Sequence, residues 1–200
     1  MAKHIITISR QYGSGGREIG ERVASQLGCA CYDRELIKRA AQEGDFDEEL
    51  IKDGGEGVLN RFSSLLTYAN TLVGKDEDSL PLPDRMFLVQ SRIIRQIADE
   101  EPCIIIGRCA NYILADYPAL LDVFIHADWD ARVARVMERN SLNEHDAVAR
   151  IRKIDRQRAV FYEMHTDQKW GMASAHHLSL SSSYFGIEGT AHLLAEIAKR

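Results

Sequence analysis

The chain has 200 residues, 45% apolar and 28% charged, with a formal net charge of −5. That balance fills one globular core and excludes a disordered chain, and the acidic total argues against a nucleic-acid polymer as partner, which needs a basic face. No stretch approaches the ~20 apolar residues of a membrane helix, and Met1 to Ile8 lacks a signal-peptide layout, so a cytoplasmic protein with no membrane partner is expected.

The chain opens with a β-branched run, His4 to Ser9, read as a strand that breaks at Gly13-Ser14-Gly15-Gly16. A helix should follow, with Ile19, Val23, Ala24 and Leu27 on one face and Gly28 past its end. Ala30 to Tyr32 reads as a short second strand and Arg34 to Gln42 as a helix. From Glu43 to Glu56 acids dominate, Val58 to Val73 is amphipathic, and Gly74 to Pro83 is a polar loop. Asp84 to Glu100 predicts a helix with Phe87, Ile94 and Ile97 facing inward. Cys103 to Ile106 and Leu121 to Ile125 are continuous apolar runs, the pattern of strands buried on both faces. Asp128 is placed as the N-cap of the next helix. A long helix over Glu144 to Tyr162, a strand over His177 to Leu180 and a helix over Glu188 to Lys199 complete the chain. Apolar strands alternating with amphipathic helices predict an α/β fold with a mainly parallel sheet.

The segment from Ile5 to Ile19 carries the clearest chemistry. A buried strand enters a glycine-rich turn and a helix leaves it, so successive amides converge and the helix N-terminus adds positive potential. Such a site holds a di- or triphosphate. Against the pattern G-x4-G-K-[ST] the fit is imperfect. Gln11 stands for the first glycine, Arg17 for the lysine and Glu18 for the hydroxyl residue. Arg17 reaches phosphates as a planar fork, and a carboxylate at Glu18 is a candidate Mg²⁺ ligand. The plainer reading is a tight strand-to-helix turn with glycines for packing.

The run Ile8-Ser9-Arg10-Gln11-Tyr12-Gly13-Ser14-Gly15-Gly16-Arg17-Glu18-Ile19 resembles the opening of the cytidylate kinase-like family. So do Tyr32-Asp33-Arg34-Glu35-Leu36-Ile37, Ile105-Ile106-Gly107-Arg108-Cys109-Ala110, Arg156-x-Arg158-Ala159-x-Phe161-Tyr162, Lys169-Trp170-Gly171 and Gly186-Ile187-Glu188-Gly189. The resemblance spans nearly the whole chain, in the family's order. It implies a P-loop NTPase, three-layer α/β/α, with a five-stranded mainly parallel sheet, a helical acceptor-binding insert over about residues 34–100 and a lid over about 140–172. It further implies a nucleotide kinase that uses ATP and Mg²⁺ to phosphorylate a nucleoside monophosphate, with CMP or dCMP the candidate. A nucleotide-binding sensor without turnover and a P-loop kinase for another small metabolite are the alternatives. The sequence carries no signal of oligomeric state.

On this reading Gly13, Ser14, Gly15, Gly16, Arg17 and Glu18 hold the donor phosphates, with Glu18 toward the metal. Residues 147–158 hold five bases and one acid, Asp155. They resemble a lid whose arginines close onto the phosphates: Arg156 and Arg158 as catalytic groups, Arg150 and Lys153 beside them. The plain alternative is a solvated helix face. Arg108, at the end of an apolar strand where ligands bind in open α/β sheets, is assigned to the acceptor phosphate and to catalysis with Arg17. Asp33 and Arg34 are assigned to the acceptor, with Asp33 equally a helix N-cap. The seven histidines show no ligand cluster, and Trp129 and Trp170 are read as packing residues. The four cysteines, at 29, 31, 103 and 109, match no zinc spacing and are read as reduced, mostly buried thiols.

Overall fold

A computed structural model describes residues 4–33 and 82–199. The expected helices over 34–42 and 58–73, the acidic tract over 43–56 and Arg34 lie outside the described residues. In chain order the elements are β1 (Ile5–Arg10), α1 (Gly16–Leu27), β2 (Ala30–Tyr32), α2 (Leu82–Glu100), β3 (Cys103–Ile106), α3 (Ala110–Ile113), β4 (Leu120–His126), α4 (Trp129–Asn140), α5 (Glu144–His165), β5 (Leu178–Ser181) and α6 (Ser182–Ala198).

The β-branched and apolar runs make one five-stranded sheet in the order β2-β3-β1-β4-β5. Every neighbouring pair is parallel; Ile8, for example, stands opposite Ile106 on one side and Val123 on the other. The strand alternation splits the core into two layers. Ile5, Cys103 and Ile105 pack under Ile93, Ile94 and Ile97 of α2 and Tyr162 of α5. Ile6, Ile8, Ile104, Ile106, Val123 and Ile125 pack under Ile19, Val23 and Ala24 of α1 and Ala191, Leu194 and Ala195 of α6. Helices therefore cover both faces, and this is why the central strands read as unbroken apolar runs. A third cluster, Val133 and Val136 against Ala147 and Ile151, packs α4 on α5.

Three boundaries differ from the sequence reading. α2 begins at Leu82, because Pro83 in a first turn loses no hydrogen bond it would otherwise make. α5 runs on to His165 and is capped by Asn143, whose side chain accepts from the Asp146 amide. The last span, Ser182–Ala198, is two helical pieces: Gly186, at φ 68° and ψ 170°, is non-helical and separates a short turn that the sequence reading missed from the expected helix beyond it. Asp128 holds the N-cap position of α4, but its side chain makes no capping bond; its amide donates to Ser183 Oγ instead. No helix among the described residues is long and apolar enough to cross a membrane.

Candidate active site

β1 runs into the glycine-rich turn, and side chains from distant elements hold its backbone at Tyr12 and Ser14. Gln11, standing where the phosphate-loop pattern has glycine, bonds its amide to the Ile125 carbonyl at 3.0 Å and accepts from the Ala127 amide at 3.2 Å through its side chain. The Tyr12 amide donates to Asp155 of α5 at 2.7 Å, and the Tyr12 carbonyl accepts from Arg132 Nε of α4 at 2.8 Å. Arg132 and Asp155 pair with each other and close the ring. Ser14 Oγ donates to the Gln11 carbonyl at 2.9 Å, and Ser182 Oγ to the Ser14 carbonyl at 2.6 Å. Gly13 and Gly15 take positive φ angles of 85° and 78°, which turn the chain into α1. The first helical bond runs from Ile19 to Gly15. Among the described residues, nothing accepts a hydrogen bond from the amides of Gly13, Gly15, Gly16, Arg17 or Glu18. These amides line the N-terminus of a 12-residue helix, a concave row of donors matched to an anion.

A pocket lies beside this cradle at the carboxyl ends of β1 and β3. Ser9, Arg10, Gly107, Arg108 and Cys109 line one side; Arg158, Phe161 and Tyr162 of α5 and Trp170 line the other. It thus combines three guanidinium groups with an aromatic wall. Gly107, Arg108 and Cys109 all have left-handed backbone, at φ 72°, 62° and 54°. For Arg108 and Cys109 this conformation carries strain, which clusters at functional sites. Arg10 was not singled out from the sequence. Its guanidinium lies 3.8 Å from Asp33 and 2.1 Å from where a Cβ on Gly107 would stand, so a side chain there would displace it. The signal for it was an arginine closing a buried strand.

The pocket and the cradle adjoin through Asp33, whose carboxylate is 3.4 Å from Arg17 Nε. Arg158 donates to the Arg10 carbonyl at 3.0 Å and lies 5.7 Å from the Tyr12 ring. The structure thus brings Arg17, Asp33, Arg108 and Arg158 around one cleft. Arg150, Lys153 and Arg156 project from the exposed surface of α5.

The cytidylate kinase-like family profile matches residues 5–184. The chain belongs to the cytidylate kinase-like family. Among solved structures, an uncharacterized protein from Eubacterium ventriosum ATCC 27560 is 25% identical, with 98% of each chain covered and a TM-score of 0.73. Shikimate kinase from Bacteroides thetaiotaomicron shares the fold at 13% identity and a TM-score of 0.55, covering 98% of this chain and 99% of its own. A gluconokinase from Sinorhizobium meliloti 1021 shares it at 15% identity and a TM-score of 0.53, covering 98% and 94%. No curated protein matches the chain in sequence. The family and the fold make this a kinase-like P-loop protein.

Within that family frame, Glu18 has a different setting from the one its sequence position suggests. One carboxylate oxygen pairs with Arg22 at 3.0 Å and the other with Arg135 of α4. The Arg22 bond chiefly holds its carboxyl below the ordinary range; burial opposes it, and the Arg135 bond adds to the lowering. Arg17 is bonded to Glu21 at 2.9 Å, chiefly by which its guanidinium is held above its ordinary value. Among the described residues no group of three His, Cys, Asp or Glu side chains forms a metal cage. As arranged, the side chains at the cradle fit a polyphosphate and do not fit a directly ligated Mg²⁺.

The remaining sequence candidates pack or pair within the fold, Trp170 and Cys109 also lining the pocket. His176, 1% exposed, places Nδ1 2.8 Å from Asp122, whose other oxygen accepts from Thr7 at 2.8 Å. Trp170 packs edge-on against Phe124, and Trp129 carries the guanidinium groups of Arg132 and Arg152 at 5.5 and 5.8 Å. All four cysteines are free thiols; Cys103 and Cys109 are buried, Cys29 and Cys31 half-buried. Burial pushes the thiols of Cys31, Cys103 and Cys109 up to about 12. They stay protonated at neutral pH and are poor nucleophiles. Iodoacetamide at neutral pH is expected to leave Cys103 and Cys109 unmodified in the folded protein and to label both in urea, as read by mass spectrometry.

Proposed function

We propose that the protein is a nucleotide kinase that transfers the γ-phosphoryl group of ATP to a nucleoside monophosphate, with CMP or dCMP as candidate acceptor. The observation that carries the reading is the set of unpartnered amides at Gly13 and from Gly15 to Glu18, opening beside a pocket lined with arginines and aromatic rings. Family membership supports a phosphotransferase, and the pocket chemistry supports an acceptor that joins an anionic group to a planar ring.

On this reading the Gly13–Gly16 amides and Arg17 hold the donor phosphates, and Arg108, with Arg10, grips the acceptor phosphate. An acceptor phosphate oxygen attacks the γ-phosphorus in line. The γ–β bridging bond breaks, and ADP leaves with its electron pair. Charge spread over the equatorial oxygens is met by guanidinium groups fixed before the reaction, among them Arg158. Arg34, Arg150, Lys153 and Arg156 are assigned to acceptor binding and closure over the phosphates; the exposed three reach the cleft only if α5 approaches it. No step is routed through Mg²⁺, because Glu18 has both oxygens on arginines and the Asp33 carboxylate lies between Arg10 and Arg17.

The test is a coupled ADP-release assay across the nucleoside monophosphates with ATP and Mg²⁺. Turnover with CMP or dCMP supports the proposal. ATP binding with no turnover on any acceptor replaces it with the sensor reading. Arg108→Ala is expected to raise the acceptor KM by about 10- to 100-fold with little change in ATP affinity, since it removes a charge-assisted grip on one substrate only. An equal loss for both substrates would remove Arg108 from the acceptor site.

A further inference from the structure

The phosphate-loop pattern expects a metal-binding hydroxyl directly after the loop's cation, and this chain has Glu18 there. We propose that Glu18 is a positioning residue: it holds the Arg135 guanidinium over Gly15, so that a polyphosphate in the cradle meets a second fixed cation delivered by α4, and it does not ligate a metal. The inference deepens the donor-phosphate reading above and rests on it.

Three observations carry it. First, the two oxygens of Glu18 are divided between Arg22 and Arg135, so each already carries a guanidinium partner. Second, a Cβ placed on Gly15 would lie 3.5 Å from Arg135 Cζ. The guanidinium therefore sits against the left-handed residue that opens α1, beside the unpartnered amides. Third, Arg17 is drawn the other way, toward Glu21 and Asp33 on the acceptor side. Ile187, whose Cδ1 would be 2.2 Å from the same Cβ, packs over Gly15 and makes one wall of the site apolar.

The placement follows from α4. Arg132 and Arg135 are three residues apart and lie on one face of the helix. The first reaches the Tyr12 carbonyl and the second reaches Glu18, so α4 meets both ends of the turn. An arginine carries five N–H donors in a planar fork. Glu18 takes Nη2 and fixes the plane, which leaves further donors of Arg135 for phosphate oxygens. Because the guanidinium is oriented before the ligand arrives, less side-chain freedom is lost on binding.

The experiment is isothermal titration of the whole protein with inorganic tripolyphosphate, first in EDTA and then with Mg²⁺, with thermal unfolding of each variant alongside. The wild type should bind in EDTA. Arg135→Ala should weaken that binding about tenfold, and Arg135→Lys, which keeps the charge without the fork, by less. Glu18→Gln should weaken it to a similar degree, and Glu18→Gln with Arg135→Ala should be no weaker than Arg135→Ala alone. Arg22→Ala, which touches Glu18 from the far side, should bind as the wild type does. Any tightening brought by Mg²⁺ should be the same in Glu18→Gln as in the wild type.

Glu18→Gln that binds normally in EDTA but loses the gain from Mg²⁺ makes Glu18 a metal ligand and overturns the inference. Additive losses in the double variant overturn it as well, because the two residues would then act separately. Should Glu18→Gln melt early, Arg135→Lys still decides: wild-type binding by that variant means the fork is not needed. A wild type that binds no tripolyphosphate removes the cradle reading itself. A wild type that binds, with neither variant affected, removes only the inference.

Discussion

Asp155→Ala is expected to destabilise the folded protein by about 3–5 kcal/mol. Asp155 accepts from the Tyr12 amide at 2.7 Å and pairs with Arg132, whose side chain is 6% exposed. Removing the carboxylate leaves a buried guanidinium without its counter-charge and the Tyr12 amide without an acceptor. Uncompensated burial of this kind costs far more than the pair itself contributes, since the pair has already lost its hydration. Urea unfolding should show a lower midpoint with an unchanged slope, the mark of a change in stability and not in the surface exposed. Arg132→Met combined with Asp155→Ala should be less destabilised than the sum of the single variants, because the second change removes the stranded charge. A loss under about 1 kcal/mol for Asp155→Ala would mean that water reaches Arg132 as soon as its partner is gone.

This result would also bear on the lid. From the sequence, residues 147–158 form one basic stretch in which Asp155 is the exception. In the structure the exception is an anchor: Asp155 and Arg158 bond the backbone of Tyr12 and Arg10, while Arg150, Lys153 and Arg156 stand outward. Movement of α5 over the cleft would therefore either pivot about Asp155 or break its bond to the loop.

What was legible in the sequence follows from locality. β1, β3 and β4 are buried on both faces, so their apolar runs are uninterrupted and each was placed to within one residue at either end. The glycine-rich turn was legible because backbone geometry selects glycine without help from distant residues. The roles of Glu18, Gln11 and Asp155 were not. Arg135 lies 117 positions from Glu18, and Tyr12 lies 143 from Asp155. A local pattern reads Glu18 as a departure from a hydroxyl and cannot see the helix that supplies its partner. Gln11 likewise read as a missing glycine, whereas its carboxamide ties the turn to the end of β4. The helix expected from Glu188 follows the break at Gly186, and what the sequence did not show is the short helical turn from Ser182 that precedes it.

Gly13→Ala tests how tightly that turn is packed, and the expected loss is about 2–4 kcal/mol of stability together with tripolyphosphate binding. Two separate penalties meet at this position. The φ of 85° lies where a side chain crowds its own backbone, which costs about 1–2 kcal/mol for an ordinary residue. The new Cβ would also stand 2.9 Å from the Arg132 carbonyl oxygen and 3.1 Å from Val136 Cγ2. That carbonyl is backbone of α4, which is held against α5 by Val133, Val136, Ala147 and Ile151, so it yields only if the cluster shifts. Gly15→Ala makes the contrast. Its Cβ meets the tip of Ile187, a side chain that can rotate away, so the backbone penalty of about 1–2 kcal/mol should dominate. The two variants should therefore differ in stability, with Gly13→Ala the lower by urea unfolding. Both should bind tripolyphosphate poorly, Gly13→Ala because the turn is displaced from α4 and Gly15→Ala because a methyl group enters the row of amides. Equal stability for the two would mean that the turn is not braced by α4. The ring of Tyr12, Arg132 and Asp155 would then fix Tyr12 alone and leave the rest of the cradle to its glycines.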